Sequence, residues 1–297
     1  MSPRAQILQW AEQGHVHDIS QALQLAQITP NREKWQEFLS RVMLATGTLL
    51  LGAGIIFFFA YNWKVLPPFA RFAIVETLLI AAFAFAWIKG IETAASRAAL
   101  FFAALMTGAL FALIGQTYQM GADPWQLFAL WAALIVPWAF AAQKPDLWLL
   151  TLVLSNVALA AYPADLACYA LLNLAAQALW ECFAPQNRLA PRLAGAATAL
   201  AFSALALAQI FDRAQPFAVA YLLWLPATLV IFTRFRRDLF LIAAALLSAI
   251  VAITCLCARA LFRASSSDFI FNSFLIAVIV VALSAASAKW LQHLAKE

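Results

Sequence analysis

Apolar residues run along this chain in long blocks separated by short polar breaks. Residues 42–60 form 19 consecutive positions without a charge, about 28 Å as a helix at 1.5 Å per residue, which is one crossing of a bilayer core. Comparable blocks recur near 70–88, 98–116, 125–142, 146–162, 164–183, 192–210, 217–233, 238–258 and 268–288, so the pattern predicts about ten spans. Helices are expected rather than strands, because a spanning segment must satisfy its own backbone and these blocks are twice the length of a barrel strand. Ahead of them, "ILQWAEQGHVHDISQALQLAQITPNREKWQEFLSR" reads as two short amphipathic helices. A third opens at Thr29 with Pro30 in its first turn and continues into the first span. The predicted fold is therefore an all-α polytopic transmembrane helical bundle, with 1–41 a cytoplasmic amphipathic segment, 42–288 the bundle and 289–297 a tail.

Composition strengthens this picture. Of 297 residues, 65% are hydrophobic and only 11% charged, with 24 Phe, against about a quarter charged in soluble domains. The first 40 residues carry no apolar core of a cleavable signal and are expected to stay on the chain. Charge sets the orientation. Of the 19 Lys and Arg, five (Lys64, Arg71, Arg213, Arg259 and Arg263) fall on the side opposite the N terminus and the other 14 on its own side. The positive-inside rule then places both termini in the cytoplasm. The net charge of +5 reflects that topology and attraction to anionic membrane lipids; no nucleic-acid partner is needed.

Polar groups at membrane depth are the informative residues. Glu76 lies two turns into the second span, near the bilayer midplane, where an acidic side chain costs about 3 kcal/mol to insert. It should face protein or water, sharing hydrogen bonds with Thr46, Thr48, Asn156 or Asn173. Gly47, Gly52 and Gly54 of the first span would permit close helix contact nearby. Glu76 is then either a carboxyl joining helices or a group that handles protons or ligand. In the sixth span Tyr169, Asn173, Gln177 and Glu181 recur every fourth residue and form one polar stripe. That stripe is either a track lining a cavity or a set of interhelical hydrogen bonds ending in an interfacial Glu181.

Two loops on the outer side carry further polar residues. "YNWKVLPPF" places Tyr61, Asn62 and Trp63 at headgroup level before a Pro pair restarts the helix. "GQTYQMGADPWQLFALW" contributes Gln116, Tyr118, Gln119, Asp123 and Trp125, with Asp123-Pro124 placed to cap the next helix. No metal pattern stands out, since His15 and His17 sit on a polar segment and His293 is alone. No phosphate loop, Gly-x-Ser-x-Gly elbow or His-Glu-x-x-His occurs, so neither a metal nor a cofactor is expected. The four Cys belong to spans and are not expected to pair.

The combination of "AYNW", a Pro, "ARFAIVE" and then "LIGQTYQMGADPWQLFALWAALIVPWAFA" resembles the bacterial predicted-membrane-protein family catalogued as domain of unknown function 2157, over roughly residues 5–145. The resemblance implies a multi-pass protein of a bacterial inner membrane and carries no activity or substrate with it. Lys64 and Gln119 depart from the family's more usual acidic residue and His. Two functional readings follow. One is a transporter or lipid-facing translocator, with Glu76 as the titrating or ligand-binding group and Asn173 and Gln177 as its partners. The other is a non-catalytic scaffold or sensor subunit that meets a membrane-protein partner through its N-terminal helices. An enzyme is not expected, because Glu76 and Glu181 lie at depths about 15 Å apart at 1.5 Å per residue.

Overall fold

The computed structural model describes residues 3–26, 32–62, 65–119, 121–162, 164–183, 188–211, 218–264 and 269–296. Every regular element among them is helical. Two short helices, α1 (Pro3–Glu12) and α2 (Ile19–Leu25), precede α3 (Arg32–Tyr61), α4 (Pro68–Lys89), α5 (Ala94–Tyr118), α6 (Pro124–Ala142), α7 (Pro145–Ala161), α8 (Leu166–Phe183) and α9 (Leu189–Phe211). They are followed by α10 (Ala218–Val230), which ends in a π-helical turn (Ile231–Phe235), then α11 (Leu239–Ala264) and α12 (Phe269–Lys296). Each predicted span corresponds to one helix. Eight of these helices are long and apolar enough to cross a membrane, and the other two, Pro145–Ala161 and Val219–Phe235, are shorter apolar helices.

The proposed start of the third helix at Thr29 and Pro30 lies outside the described residues. From Arg32 onward that helix does run unbroken into the first span. Position 41 is consequently interior to α3, and position 289 is interior to α12. Asp18 opens α2: its Oδ1 accepts from Ser20 Oγ at 2.6 Å and from the Gln21 amide at 3.0 Å. The Ser20 bond and then the Gln21 bond hold its carboxyl below the usual range.

The chain divides into two compact units, Met1–Asp123 with Ala133–Leu147, and Pro124–Ala132 with Trp148–Glu297. In the first unit, α5 is the packing centre for α3 and α4. Its fully buried Ala103 and Ala104 bring neighbouring helices close, and Val75, Phe102, Met106 and Leu113 fill the core with Phe59. The helix ends follow from sequence. Pro67 is extended, with Pro68 in the first turn of α4; Gly90 adopts φ 73°, which glycine tolerates without a Cβ penalty. Thr93 then caps α5 by accepting from the Ser96 amide at 3.1 Å. Lys144 reaches Glu92 at 3.4 Å and ties the α6–α7 turn to this corner.

The second unit is built around α9, which packs against α8, α10 and α11, while α12 lies on α11. The contact face of α9 is small: Ala190, Ala194, Gly195, Thr198, Ala199, Ala201 and Ala206 are buried. Larger groups then fill the remaining space, chiefly Leu205 and a stacked pair, Phe202 and Trp224, with centroids 4.7 Å apart. Gly195 is the tightest crossing, because a Cβ there would overlap Leu241 Cδ2 and come within 2.9 Å of Gln177 Nε2. Gly195→Val should therefore lower stability by about 1–3 kcal/mol through overpacking. Gly47→Ala, whose added Cβ meets nothing within 4 Å, should be near neutral. Thermal unfolding of the two detergent-solubilised variants distinguishes them, and equal melting temperatures would remove Gly195 from this role.

Candidate functional site

Helix α4 turns Arg71, Val75 and Ala86 into its unit, with Leu78, Leu79 and Ala82 along the same face. Glu76 is one residue after the fully buried Val75, about 100° further round the helix, and it is exposed. It lies about 4 Å from the midpoint of α4 along the axis. Phe69, Ile80, Phe83 and Trp87 share its flank at helical spacing, and all are exposed. Glu76 makes no hydrogen bond or ion pair with another described residue.

Of its four expected partners, Thr48, Asn156 and Asn173 bond to other groups. Thr48 Oγ1 donates to its own helix, at the Leu44 carbonyl, 2.7 Å away. Thr46 is exposed on α3. Of the three glycines expected to bring helices together near Glu76, only Gly52 meets a neighbour, and that neighbour is Leu105 of α5, 3.0 Å from an added Cβ. Arg71 is a buried cation near the N-terminal end of the same helix, with Nε donating to the Leu66 carbonyl at 2.9 Å.

The polar stripe of α8 faces the interior of the second unit. Asn173 and Gln177 are buried, and Tyr169 packs against the α9–α11 core. Asn173 and Asn156 of α7 exchange amide hydrogen bonds, 2.8 Å from Asn173 Nδ2 to Asn156 Oδ1 and 3.2 Å in return. The same two amides also donate to their own helices, at the Tyr169 and Leu152 carbonyls, 2.9 and 2.8 Å away. Gln177 fills the space left by Gly195. Glu181 ends the stripe with Oε2 bonded to Arg236 Nη1 and with Arg188 Nη1 at 3.8 Å. Across the same end, Arg192 Nε donates to both oxygens of the buried Asp238, at 3.1 and 2.9 Å. Asp238 Oδ1 also accepts from the Phe240 amide at 3.1 Å, where α11 begins.

Deeper in this unit a buried hydroxyl chain links Ser203 to Ser248 at 2.8 Å and Ser248 to Tyr221 at 3.1 Å. These ion pairs and hydroxyls were not singled out from the sequence. "RFRRDLFLI" carried a signal for one of them, an Asp placed directly before an apolar helical run.

The residues expected in outer loops have local structural roles. Asn62 closes α3: its Nδ2 donates to the Phe58 carbonyl at 2.9 Å, and its own carbonyl accepts from the Val65 and Leu66 amides, each at 3.1 Å. Tyr61 is exposed, and Trp63 lies outside the described residues. Gln116 and Tyr118 are exposed at the end of α5, with the Tyr118 ring 6.4 Å from Phe72. Gln119 closes that helix in the left-handed region, at φ 45°. Asp123 occupies the N-cap position of α6, but its side chain makes no capping hydrogen bond. Trp125 packs edge-on against Tyr162 at 5.2 Å.

The amide pair gives a direct test of whether the stripe is structural. Asn156→Ala and Asn173→Ala should each destabilise the solubilised protein by about 0.6–2 kcal/mol. The double variant should lose clearly less than the sum, because each single change orphans its partner. Strict additivity in thermal unfolding would mean that the two amides do not depend on each other.

With this geometry in place, the comparisons with known proteins are informative about family only. Residues 8–148 match the family described as Predicted membrane protein (DUF2157), close to the 5–145 expected from the two loop motifs. No curated protein and no solved structure matches the chain. That similarity to the DUF2157 family of predicted membrane proteins runs from α1 through α6 into the start of α7 and covers just under half of the chain.

Proposed function

We propose that this protein is a non-catalytic, multi-pass subunit of a bacterial inner membrane that assembles side by side with another membrane protein through the Glu76 face of α4. One observation carries the reading: a carboxyl near the middle of an apolar helix is exposed on the outside of its unit without a described partner. Against lipid such a group costs about 3 kcal/mol, and a neighbouring span offering a hydrogen-bond donor at the same depth removes most of that cost. The partner is therefore a transmembrane helix with an Asn, Gln, Ser, Thr or basic side chain near its centre.

The amphipathic N-terminal segment supports the same reading. Leu8, Trp10, Ile19 and Leu25 on α1 and α2, and Trp35, Phe38 and Leu39 on α3, are exposed apolar side chains awaiting cover. Transport centred on Glu76 is the weaker reading, since Asn173 is already bonded to Asn156 and Gln177 is packed against Gly195.

A photo-reactive side chain introduced at Ile80 in native membranes should give a discrete protein adduct that is lost in Glu76→Leu, while the variant alone stays folded. Adducts to lipid only would overturn the assembly reading. The excess of Lys and Arg in the loops on the N-terminal side supports cytoplasmic termini. A C-terminal fusion to a fluorescent protein should accordingly glow and a fusion to alkaline phosphatase stay inactive; the reverse pair would invert the topology.

A further inference from the structure

One end of the second unit gathers cations. There α8 and the π-helical turn finish and α9 and α11 begin. Packing of Leu291 and Leu294 on Phe232, Leu241 and Ile242 brings the last turns of α12 to the same place. Arg188, Arg192, Arg234, Arg236 and Arg237 lie at this end, and among the described residues Glu181 and Asp238 are the carboxylates paired with them. Asp238 is committed to Arg192 and to the start of α11. Glu181 shares a single oxygen between two guanidinium groups, those of Arg188 and Arg236. One negative charge therefore faces two positive ones, and the excess is fixed in space by the carboxylate that holds both.

Two details make this more than a diffuse basic surface. Arg188 Nη1 is closed off from solvent but donates no hydrogen bond to a described residue. The Arg188 and Arg236 side chains as a whole remain partly open, at 40% and 32% exposure. Beside them project apolar side chains: Phe183, Leu189 and Phe235 are exposed. Planar guanidinium groups match phosphate oxygens in a two-point contact. Inorganic phosphate would use the arginines and leave the apolar fringe unused, whereas a phospholipid uses both, with its phosphate on the arginines and its chains along Phe183, Leu189 and Phe235.

We propose that Arg188 and Arg236, held together by Glu181 and flanked by Arg234, form a headgroup site for an anionic phospholipid at this end of the helical bundle. Glu181 acts here as a positioning residue: it keeps two like charges side by side without itself meeting the phosphate. Basic pockets between spans at the cytoplasmic surface bind lipid headgroups by this chemistry. The site lies in the second unit and is independent of the assembly face on α4.

The test is native mass spectrometry of the full chain exchanged into an equimolar mixture of phosphatidylglycerol and phosphatidylethanolamine. Wild type should retain phosphatidylglycerol preferentially, and each arginine removed in Arg188→Gln and Arg234→Gln should lower that occupancy about fivefold. Both changes spare the Glu181–Arg236 pair. If Arg188→Gln does not fold, Arg234→Gln, on an exposed side chain, still carries the test. Lys89→Gln in the first unit should leave retention unchanged. Equal retention of both lipids by wild type, an unchanged Arg234→Gln, or an equal loss in Lys89→Gln would overturn the proposal. A separate arm adds inorganic phosphate to lipid-depleted protein. If that phosphate alone raises the melting temperature of wild type but not of the double variant, the ligand is a soluble anion and the lipid assignment falls; no shift supports it.

Discussion

In hydrocarbon a polar side chain has no water to fall back on, so it must find its partner within protein. The second unit is arranged around that demand. Asn173 is matched by Asn156, Ser203, Ser248 and Tyr221 bond to one another in a row, and Asp238 is held by Arg192 as α11 begins. These contacts are possible because α9 offers a face of Ala, Gly and Thr that lets α8 and α11 approach closely. Small side chains thus determine where the polar ones can meet.

The first unit meets the same demand only in part. Its core is apolar and continuous from Phe59 through Val75 to Met106, and its turns are closed by Asn62, Gly90 and Thr93. Glu76 stands outside that closure. A helix that buries Val75 and presents Glu76 on an adjoining flank has spent its sequence on two different surfaces, one facing its own unit and one facing something else. The aromatic residues along the same flank, Phe69, Phe83 and Trp87, suit a neighbouring helix as well as they suit lipid; the carboxyl suits only the helix. The arginine cluster at the end of the second unit divides its surface in a similar way, with charges fixed inward by Glu181 and turned outward by Arg234.

Much of this was legible in the sequence. Each long apolar block falls on one helix, eight of them long enough to cross a membrane, because block length and the need for internal backbone hydrogen bonds leave few alternatives. The fourth-residue spacing of Tyr169, Asn173, Gln177 and Glu181 gave a single face. The pairing of those faces was not legible. Spacing places Asn173 on a stripe but cannot tell that Asn156 lies opposite it. The depth of Glu76 could be read from its position within a block, whereas its direction depended on which neighbour α4 chose, and α4 chose the small residues of α5. The Arg192–Asp238 and Glu181–Arg236 ion pairs join residues 46 and 55 positions apart; short-range pattern says little about such contacts.

The central claim is that the Glu76 carboxyl is covered by another protein in the membrane. Its most direct test is the isotope-edited infrared spectrum of that carboxyl, taken as a difference against Glu76→Gln, in native-membrane particles and again in the purified chain. The account predicts the band of a hydrogen-bonded carboxyl in the membrane particles and a shift once the chain is isolated. A free-acid band at the same position in both preparations would mean that the group faces lipid alone, and would contradict it.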